Sequence, residues 1–397
     1  MKITDLRTYV VGTPPPHWGG QFWVFVKLTT DTDVEGIGEA YAIPFHPDIA
    51  VKMIEDVFER QVRGLNPFHI ERLWRRVYSS GYTQRPDISM MAVLSALEMA
   101  CWDIMGKETN QPIYELLGGR VHEKLRSYTY LYPKEGDPTD VYGDPDMAAE
   151  RAAENVALGF TGVKFDPVGP YSAFDPRQPS LERMDISEKL VKRVREAVGD
   201  KADLLFGTHG QLTTSGAIRL ARRLEKYDPL WFEEPTPPEN PNEMAKLSRQ
   251  TTIPVATGER LATKYEFHRV LESGAASILQ MALGRVGGLL EGKKIASMAE
   301  VYYAQIAPHM YCGPVSAMAD IQLSTCTPNF LIQESINTMG EFHAAVLKEP
   351  IEWQDGFIIP PTKPGLGIEL DEEVIAAHPF TGDQLHLEMQ DTPATFD

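Results

Sequence analysis

The 397-residue sequence has little cysteine: Cys101, Cys312 and Cys326 are its only three, and they lie far apart. An odd number of scattered cysteines argues against a disulfide framework and against a cysteine zinc site, and is typical of a reducing cytoplasm. The start, MKITDLRTYVV, lacks the basic segment and apolar run of a secretory signal. No apolar run is expected to approach the roughly 20 residues that span a bilayer. We therefore expect a cytoplasmic protein with no membrane partner.

Positive charge is also scarce, because 38 lysines and arginines stand against 56 aspartates and glutamates, for a formal net charge of -18. A field of that sign repels phosphate backbones, which argues against a nucleic-acid partner. The hydrophobic fraction of 43% is ordinary for a globular protein with a core. The length suits a large barrel together with an accessory domain.

The N-terminal part of the chain mixes strand and helix patterns. Residues 2–11 and 22–31 alternate as strands do, and a polar turn leads from the second into a third strand. From about residue 48 to 117 apolar residues recur at helical spacing, with Gly106 as the predicted end of the longest helix. These patterns predict an α+β domain over residues 1–124.

Short apolar runs alternate with helical segments from about residue 125 onwards. The runs are 126–130, 161–165, 203–206, 230–233, 254–257, 276–280, 303–306 and 329–333. The clearest helix has Ser187 as its predicted N-cap and Gly199 as its end. This alternation predicts a (β/α)8-type barrel over 125–344; a doubly wound sheet is disfavoured because no Gly-rich phosphate fingerprint follows the first strand. The turn-rich residues 345–397 are expected to pack back on the N-terminal domain.

Polar side chains recur at the C-terminal ends of the predicted strands. They are Lys164, Asp166, Thr208, His209, Glu233, Glu234, Glu259, Arg260, Gln280, His309, Gln333 and Glu334. In a (β/α)8 barrel these ends meet at one mouth, where active sites lie, so we predict a shared site there. Carboxylate oxygens suit Mg²⁺, and histidines suit proton transfer near neutral pH. The combination predicts removal of a proton next to a carboxylate, with the metal stabilising the resulting anion.

Motifs along nearly the whole chain resemble the enolase superfamily, in particular the mandelate racemase subgroup and its sugar-acid (galactonate-type) dehydratases. They are ALEMACWDIMGK before LLGG, LWFEEP, PVATGER, GRVGGLLEGKKIASMAE, IAPHMYCGP, FLIQES and PGLGIEL. The resemblance implies an α/β fold: a modified TIM barrel with an N-terminal α+β capping domain that the C-terminal segment completes. It also implies one Mg²⁺ per subunit, a small-molecule sugar-acid substrate and a homo-oligomer.

The resemblance assigns roles to five residues by position. Glu233 and Glu259 match carboxylates that bind the metal. His209 and His309 match acid/base histidines, and His309 would act on the opposite face of the substrate. Glu334 matches a carboxylate that hydrogen-bonds the substrate or intermediate.

Five further residues are expected to line the site. Lys164 would stabilise anionic oxygens, and Arg260, at the end of the fifth strand, would bind substrate. His17, Trp18 and His46 lie in N-terminal loops that the family uses to cap the barrel, so they are candidate specificity residues.

Three positions depart from the family pattern. Gly207 stands where the family has its first metal-ligand Asp, and Ala282 stands where an Asp usually orients the seventh-strand histidine. Asp166 replaces the second lysine of a Lys-x-Lys motif. We therefore expect His309 to lack its usual partner. The missing ligand would come either from Asp166 on a neighbouring strand or from His209 turned towards the metal.

Taken together, these features predict a metal-dependent sugar-acid (aldonate-type) dehydratase, a lyase. It would abstract the proton α to the carboxylate and eliminate the β-hydroxyl as water, giving a 2-keto-3-deoxy acid. An epimerase, racemase or cycloisomerase would share the first half of this reaction. A catalytically silent barrel that only binds an acid sugar is the remaining alternative, and Gly207 and Ala282 favour it.

Overall fold

A computed structural model of the protein describes residues 1–134, 136–137 and 140–393. In that part of the chain, the N-terminal domain contains an antiparallel sheet. Its strands, in spatial order, are β1 (Ile3–Gly12), β2 (Phe22–Thr30) and β3 (Glu35–Ala40). The central strand β2 is buried along most of its length, because neighbouring strands flank it and helices cover the sheet.

Helices pack against this sheet. They are α1 (Pro47–Val57), α2 (Ile70–Tyr78), α3 (Ile88–Thr109) and α4 (Ile113–Leu116). Helix α3 approaches β3 closely, because Gly36 and Gly38 have no side chain: a Cβ at either position would overlap a carbonyl oxygen of α3. The predicted end of α3 at Gly106 is wrong. That glycine instead allows close packing, since a Cβ there would lie 2.5 Å from the Cα of Gly365.

Helix α3 is long and apolar enough, by length and composition alone, to cross a membrane. The expectation that no apolar run approaches this length is therefore wrong. In the fold, 78% of its apolar window is buried inside the protein. The helix forms the core of the N-terminal domain, which explains its composition.

Eight parallel strands in the described residues close into a barrel. They are β4 (Leu125–Tyr130), β5 (Gly162–Phe165), β6 (Asp203–Gly207), β7 (Trp231–Glu233), β8 (Val255–Thr257), β9 (Ile278–Leu279), β10 (Gln305–Ile306) and β11 (Gln333–Glu334). Strands β4 to β10 form a continuous parallel ladder in chain order, and β11 pairs in parallel with β4. A bridge between Ile306 and Phe330 links β10 to the approach of β11. The predicted barrel class is confirmed.

Helices on the outside of the barrel follow the strands. They are α5 (Pro145–Leu158), α6 (Leu181–Val198), α7 (Thr214–Leu224), α8 (Pro241–Ser248), α9 (Thr263–Ser273), α10 (Leu283–Val286), α11 (Leu289–Val301), α12 (Pro314–Thr325) and the short α13 (Glu341–Ala345). The sequence predicted Ser187 as the N-cap of α6, and this is wrong, because the N-cap is Ser180. Ser187 is tolerated inside the helix because its hydroxyl donates to the carbonyl of Arg183, at 2.9 Å. Gly199 ends α6, as expected.

The C-terminal residues return to the N-terminal domain and then cross to the barrel. The hairpin of β12 (Trp353–Gln354) and β13 (Phe357–Ile358) pairs with the start of β4, and α14 (Glu372–Ala377) follows. The amides of Gly12 and Phe380 join β1 to the chain after α14. Gln390 then pairs with the loop that follows β5. The predicted boundaries at residues 124 and 344 stay predictions, and residues 394–397 lie outside the described part.

The two domains are joined by a buried carboxylate. Glu98 on α3 accepts hydrogen bonds from the amides of Leu289 and Leu290, at 2.8 and 2.9 Å, and from the Trp102 indole, at 2.8 Å. The amides belong to the N-terminus of α11, which the carboxylate caps. Burial raises the pKa of Glu98 to about 7, although these hydrogen bonds oppose the shift.

The variant Glu98→Ala should lower the free energy of unfolding by about 3 kcal/mol, because buried donors lose their acceptor. Urea denaturation followed by circular dichroism measures the change. The control is Glu108→Ala, on the exposed last turn of the same helix, which should stay within about 0.5 kcal/mol of the parent. Equal stabilities of the two variants would contradict the role given to Glu98.

Candidate active site

A cavity of about 470 Å³ opens over the C-terminal ends of the barrel strands. His209, Glu259 and His309 line it from the barrel, Tyr41 lines it from the N-terminal domain, and His386 lines it from the C-terminal segment. The strand ends therefore meet in one cavity, and all three parts of the chain contribute to its wall. A concave cavity with convergent polar groups is the expected form of a small-molecule site.

Lys164 lies at the centre of the buried charges below this mouth. Its Nζ donates to Oε1 of Glu233 at 2.7 Å and to Oε1 of Glu334 at 3.4 Å. Burial would lower the pKa of this lysine, but Glu233 and Glu334 outweigh burial, and the pKa is raised well above its ordinary value. Lys164 is therefore a fixed positive charge and not a base. It is not among the described residues that line the cavity.

Gly207 ends β6 at the place of the missing aspartate. A Cβ at this position would lie closer to the Tyr130 hydroxyl than real side chains allow, and 3.0 Å from Cε of Lys164. Tyr130 and Lys164 therefore fill the room that a carboxylate at Gly207 would need.

Three side chains next to Gly207 could hold a metal ion. One ligand atom from each of His209, Glu233 and Glu259 lies within 4.8 Å of the others. Oε2 of Glu259 is buried and forms no hydrogen bond, and its charged neighbour is Nδ1 of His309, at 3.2 Å. A buried carboxylate oxygen without a hydrogen bond gains from a bound cation. One imidazole nitrogen and two carboxylates are a suitable donor set for a divalent cation. The residues present therefore fit such an ion.

Glu233 is held in place by donors on both oxygens. Besides Lys164 on Oε1, the Trp231 indole and the Gln280 amide donate to Oε2, at 3.1 and 2.6 Å. A carboxylate oxygen has two lone pairs, so these bonds orient Glu233, occupy both lone pairs of Oε2 and leave one lone pair on Oε1 for an ion.

Asp166 lies outside the group of candidate metal ligands to which His209 belongs. Its Oδ1 accepts from the amides of Val168 and Gly169, at 2.8 and 3.3 Å, and its Oδ2 lies 3.9 Å from Nδ1 of His209. Of the two alternatives for the missing ligand, the geometry favours His209. His209 has a left-handed φ of 48° and stacks on Tyr171 with ring centroids 4.5 Å apart. A non-glycine residue in this conformation at a strand end is common in functional sites.

His309 has carboxylate partners although Ala282 offers none, which corrects the expectation of an unpartnered histidine. Its Nδ1 lies 3.0 Å from Oε2 of Glu334 and 3.2 Å from Oε2 of Glu259. Its Nε2 lies 3.1 Å from the hydroxyl of Tyr41. The eighth strand thus supplies the carboxylate that is missing after the sixth.

The charges around His309 shift its pKa and that of Glu334 in opposite directions. Burial would lower the pKa of His309, but Glu259 and Glu334 raise it above its ordinary value. Burial would raise the pKa of Glu334, but Lys164 and His309 lower it to about 2. Both oxygens of Glu334 bond within the protein, and Glu334 does not line the described cavity. The contacts of Glu334 are therefore with Lys164, His309 and the amide of Met310, and its expected contact with substrate stays a prediction.

Tyr41 is a site residue that sequence reasoning missed. It directly follows β3, and its ring is covered by the guanidinium of Arg285, 4.3 Å from the ring centroid. The predicted site residues lay at the ends of barrel strands and in N-terminal loops, and Tyr41, which follows a strand of the N-terminal sheet, belongs to neither group. The available signal was the aromatic residue immediately after a buried strand of the capping domain.

The remaining predicted residues divide into two groups. Arg260 lines the cavity and pairs with Glu234, and Trp18 lines it beside Tyr132, with ring centroids 4.3 Å apart. His17 and His46 are not among the described lining residues. His17 bonds Thr13, and His46 caps α1 and bonds the carbonyl of Gly382, so both anchor loops.

Comparison with known proteins agrees with this architecture. The family model "Enolase C-terminal domain-like" matches residues 147–374, and the model "Mandelate racemase / muconate lactonizing enzyme, N-terminal domain" matches residues 17–118. The protein belongs to the mandelate racemase/muconate lactonizing enzyme family of the enolase superfamily.

Three relatives illustrate the similarity. The D-xylonate dehydratase of Haloferax volcanii is 33% identical, with 97% of this chain and 90% of that protein covered. The D-galactonate dehydratase of Ralstonia nicotianae is 34% identical, with 94% of each covered. A solved structure from Labrenzia alexandrii, assigned to the mandelate racemase/muconate lactonizing enzymes, has a TM-score of 0.97 and 63% identity, with 100% of both chains covered.

The variant Lys164→Met tests the buried charge cluster. Removing the ammonium leaves Glu233 and Glu334 without their shared cation, so the free energy of unfolding should fall by about 3–5 kcal/mol. The exposed Lys192→Met on α6 is the control and should change it by less than about 0.5 kcal/mol.

The loss in Lys164→Met should be larger at pH 8 than at pH 5. Without the ammonium, the folded-state pKa values of the two carboxyls rise above their unfolded values, so stability is lost as the pH increases. Urea denaturation at the two pH values measures this. A loss that does not depend on pH would contradict the assignment.

Proposed function

We propose that this protein is a metal-dependent sugar-acid dehydratase that abstracts the proton α to a carboxylate and eliminates the β-hydroxyl as water. One observation supports the proposal most strongly: two members of the candidate cation-binding cluster, His209 and Glu259, line the same cavity as the carboxylate-held His309. The relatives named D-xylonate and D-galactonate dehydratase act on substrates of this class according to their names. That this chain catalyses the dehydration of a sugar acid is our proposal.

Positive charge is needed next to the substrate carboxylate. When bound at His209, Glu233 and Glu259, a divalent cation supplies that charge and makes the α-proton more acidic. The ammonium of Lys164, held between two carboxylates, orients Glu233 and opposes the upward shift that burial gives the pKa of that carboxyl.

Proton transfer is assigned to His309. Glu334 and Glu259 orient Nδ1, so Nε2 is the nitrogen directed to Tyr41, which lines the same cavity. Neutral imidazole is the most common general base near neutral pH. His309 takes the α-proton, and the imidazolium then gives a proton to the departing β-hydroxyl, which leaves as water. The resulting enol tautomerises to a 2-keto-3-deoxy acid.

His209 takes a ligand role in this proposal, in place of the acid/base role that its position in the family implies. Because its nitrogen belongs to the cation-binding cluster, His209 is not free to shuttle a proton. The two proton transfers therefore fall to His309, with Tyr41 fixing its orientation.

A polyhydroxy acid fits the lining of the cavity. Aromatic rings offer flat surfaces to the C–H faces of a sugar chain, and tyrosine hydroxyls offer hydrogen bonds to its hydroxyl groups. The tyrosines that line the cavity are Tyr41, Tyr130, Tyr132, Tyr142, Tyr171 and Tyr311. The cytoplasmic location and the homo-oligomer stay predictions.

A panel of sugar acids that includes D-xylonate and D-galactonate tests the proposal. We expect at least one to yield a 2-keto-3-deoxy acid, detected as its semicarbazone. His309→Asn should lower kcat by a factor on the order of 10²–10⁴, the usual contribution of an acid/base group. The control is His268→Asn, which removes an exposed imidazole on α9 and should leave kcat unchanged.

Proton NMR in D₂O separates the alternatives. Exchange of the α-proton for deuterium without formation of a keto acid would replace the proposal by an epimerase or racemase. Neither exchange nor keto acid with any acid of the panel would favour a barrel that binds acid sugars without turning them over.

A further inference from the structure

The candidate cation-binding cluster at the barrel mouth consists of one histidine and two carboxylates. His209 joins Glu233 and Glu259 within 4.8 Å, whereas the neighbouring Gly207 contributes no side chain. The donor set therefore contains nitrogen as well as oxygen, and this difference bears on which ion it binds.

The replacement is built into the packing around β6. Tyr130 and Lys164 occupy the space of a side chain at Gly207, so a carboxylate cannot be restored there without moving them. The nitrogen ligand is held in place by the left-handed backbone of His209 and by stacking on Tyr171. The carboxylate of Asp166, 3.9 Å from Nδ1, biases the orientation of the ring through its charge.

The charge of the cluster is also lower than that of three carboxylates. Glu233 and Glu259 supply two negative charges, and the ammonium of Lys164 at 2.7 Å offsets part of the charge on Glu233. A cation that relies on charge alone is therefore held weakly. An ion that gains from bonding to nitrogen compensates for this loss.

Divalent cations differ in how much they gain from a nitrogen ligand. Mg²⁺ prefers oxygen ligands, gives up its water reluctantly and gains little from imidazole. Divalent first-row transition metals accept imidazole readily and bind mixed nitrogen and oxygen sites more tightly along the Irving–Williams order.

We propose that the cluster selects a divalent first-row transition metal, such as Mn²⁺ or Co²⁺, over the Mg²⁺ predicted from the sequence, and that the nitrogen of His209 is the selecting ligand. The inference rests on the proposed function only in placing the ion where the reaction occurs. Selection itself is a property of binding and is measured without substrate.

Binding to the metal-stripped, full-length protein is the first measurement. Isothermal titration calorimetry with Mn²⁺ and with Mg²⁺ should show Mn²⁺ binding at least about tenfold more tightly. Equal affinities, or no binding of either ion, would overturn the inference.

Electron spin echo envelope modulation of the Mn²⁺-loaded protein is the second measurement. We expect ¹⁴N modulation from a coordinated imidazole in the parent, its loss in His209→Asn, and its retention in the surface control His268→Asn. Asn and Asp tolerate the φ of 48° at this position, so the backbone is preserved. Absence of ¹⁴N modulation in the parent would refute the role of His209 without recourse to any variant.

The variant His209→Asp reverses the donor chemistry by placing a third carboxylate at the cluster. The preference for Mn²⁺ over Mg²⁺ should fall by about tenfold or more. An unchanged preference in this variant would overturn the inference.

The outcomes also separate this inference from the proposed function. Keto-acid formation with Mg²⁺ alone, together with absent ¹⁴N modulation, would overturn the metal assignment and leave the dehydratase standing. Strong ¹⁴N modulation with no keto acid from any sugar acid would overturn the dehydratase function and leave the metal assignment standing.

Discussion

The ion pairs of Lys164 with Glu233 and Glu334 are the interactions on which the mouth of this barrel depends. Two carboxylates and one ammonium are fully buried there, and none could remain charged without the others. The ammonium opposes the upward shift that burial gives the pKa of Glu233, and together with His309 it lowers the pKa of Glu334. One buried lysine therefore connects the candidate cation-binding cluster with the carboxylate that contacts His309.

Two losses in the sequence are each balanced by a neighbouring residue. At Gly207 the missing carboxylate leaves space that Tyr130 and Lys164 fill, and His209 takes its place in the cluster. At Ala282 the missing carboxylate is replaced by one from the eighth strand, where Glu334 contacts the histidine directly. Strand ends in a barrel converge, so a ligand lost from one strand can be supplied by another at little cost in geometry.

The capping domain and the C-terminal segment complete the site. Tyr41 reaches His309 from the N-terminal sheet, and Glu98 fixes that domain to the barrel through the start of α11. The ring nitrogens of His386, in the C-terminal segment, lie 2.9 and 3.2 Å from the carbonyl oxygens of Phe22 and Tyr311, and the neutral imidazole donates to one of the two. The cavity therefore depends on the docking of three parts of the chain, as expected for a site between domains.

Local pattern in the sequence determined the barrel class and the strands that supply the site. The strands whose C-terminal ends carry Lys164, Glu233 and Glu259 can be recognised from the sequence pattern, because the alternation of strands and helices is a local property. Helix boundaries were less certain, since Ser187 and Gly106 look like signals for a helix start and a helix end. In the fold, Ser187 lies inside a helix and its hydroxyl donates to a backbone carbonyl, whereas Gly106 allows close packing against Gly365.

Only the tertiary structure decided which side chains face each other. Whether Asp166 or His209 joins the cluster, and which carboxylate holds His309, depend on side-chain direction and on the space left by residues distant in sequence. The same holds for Tyr41, whose contact with His309 spans two domains. Residue types and their order along the chain specify the available chemistry. Distances of 3 Å between groups are set by packing, which no local pattern encodes.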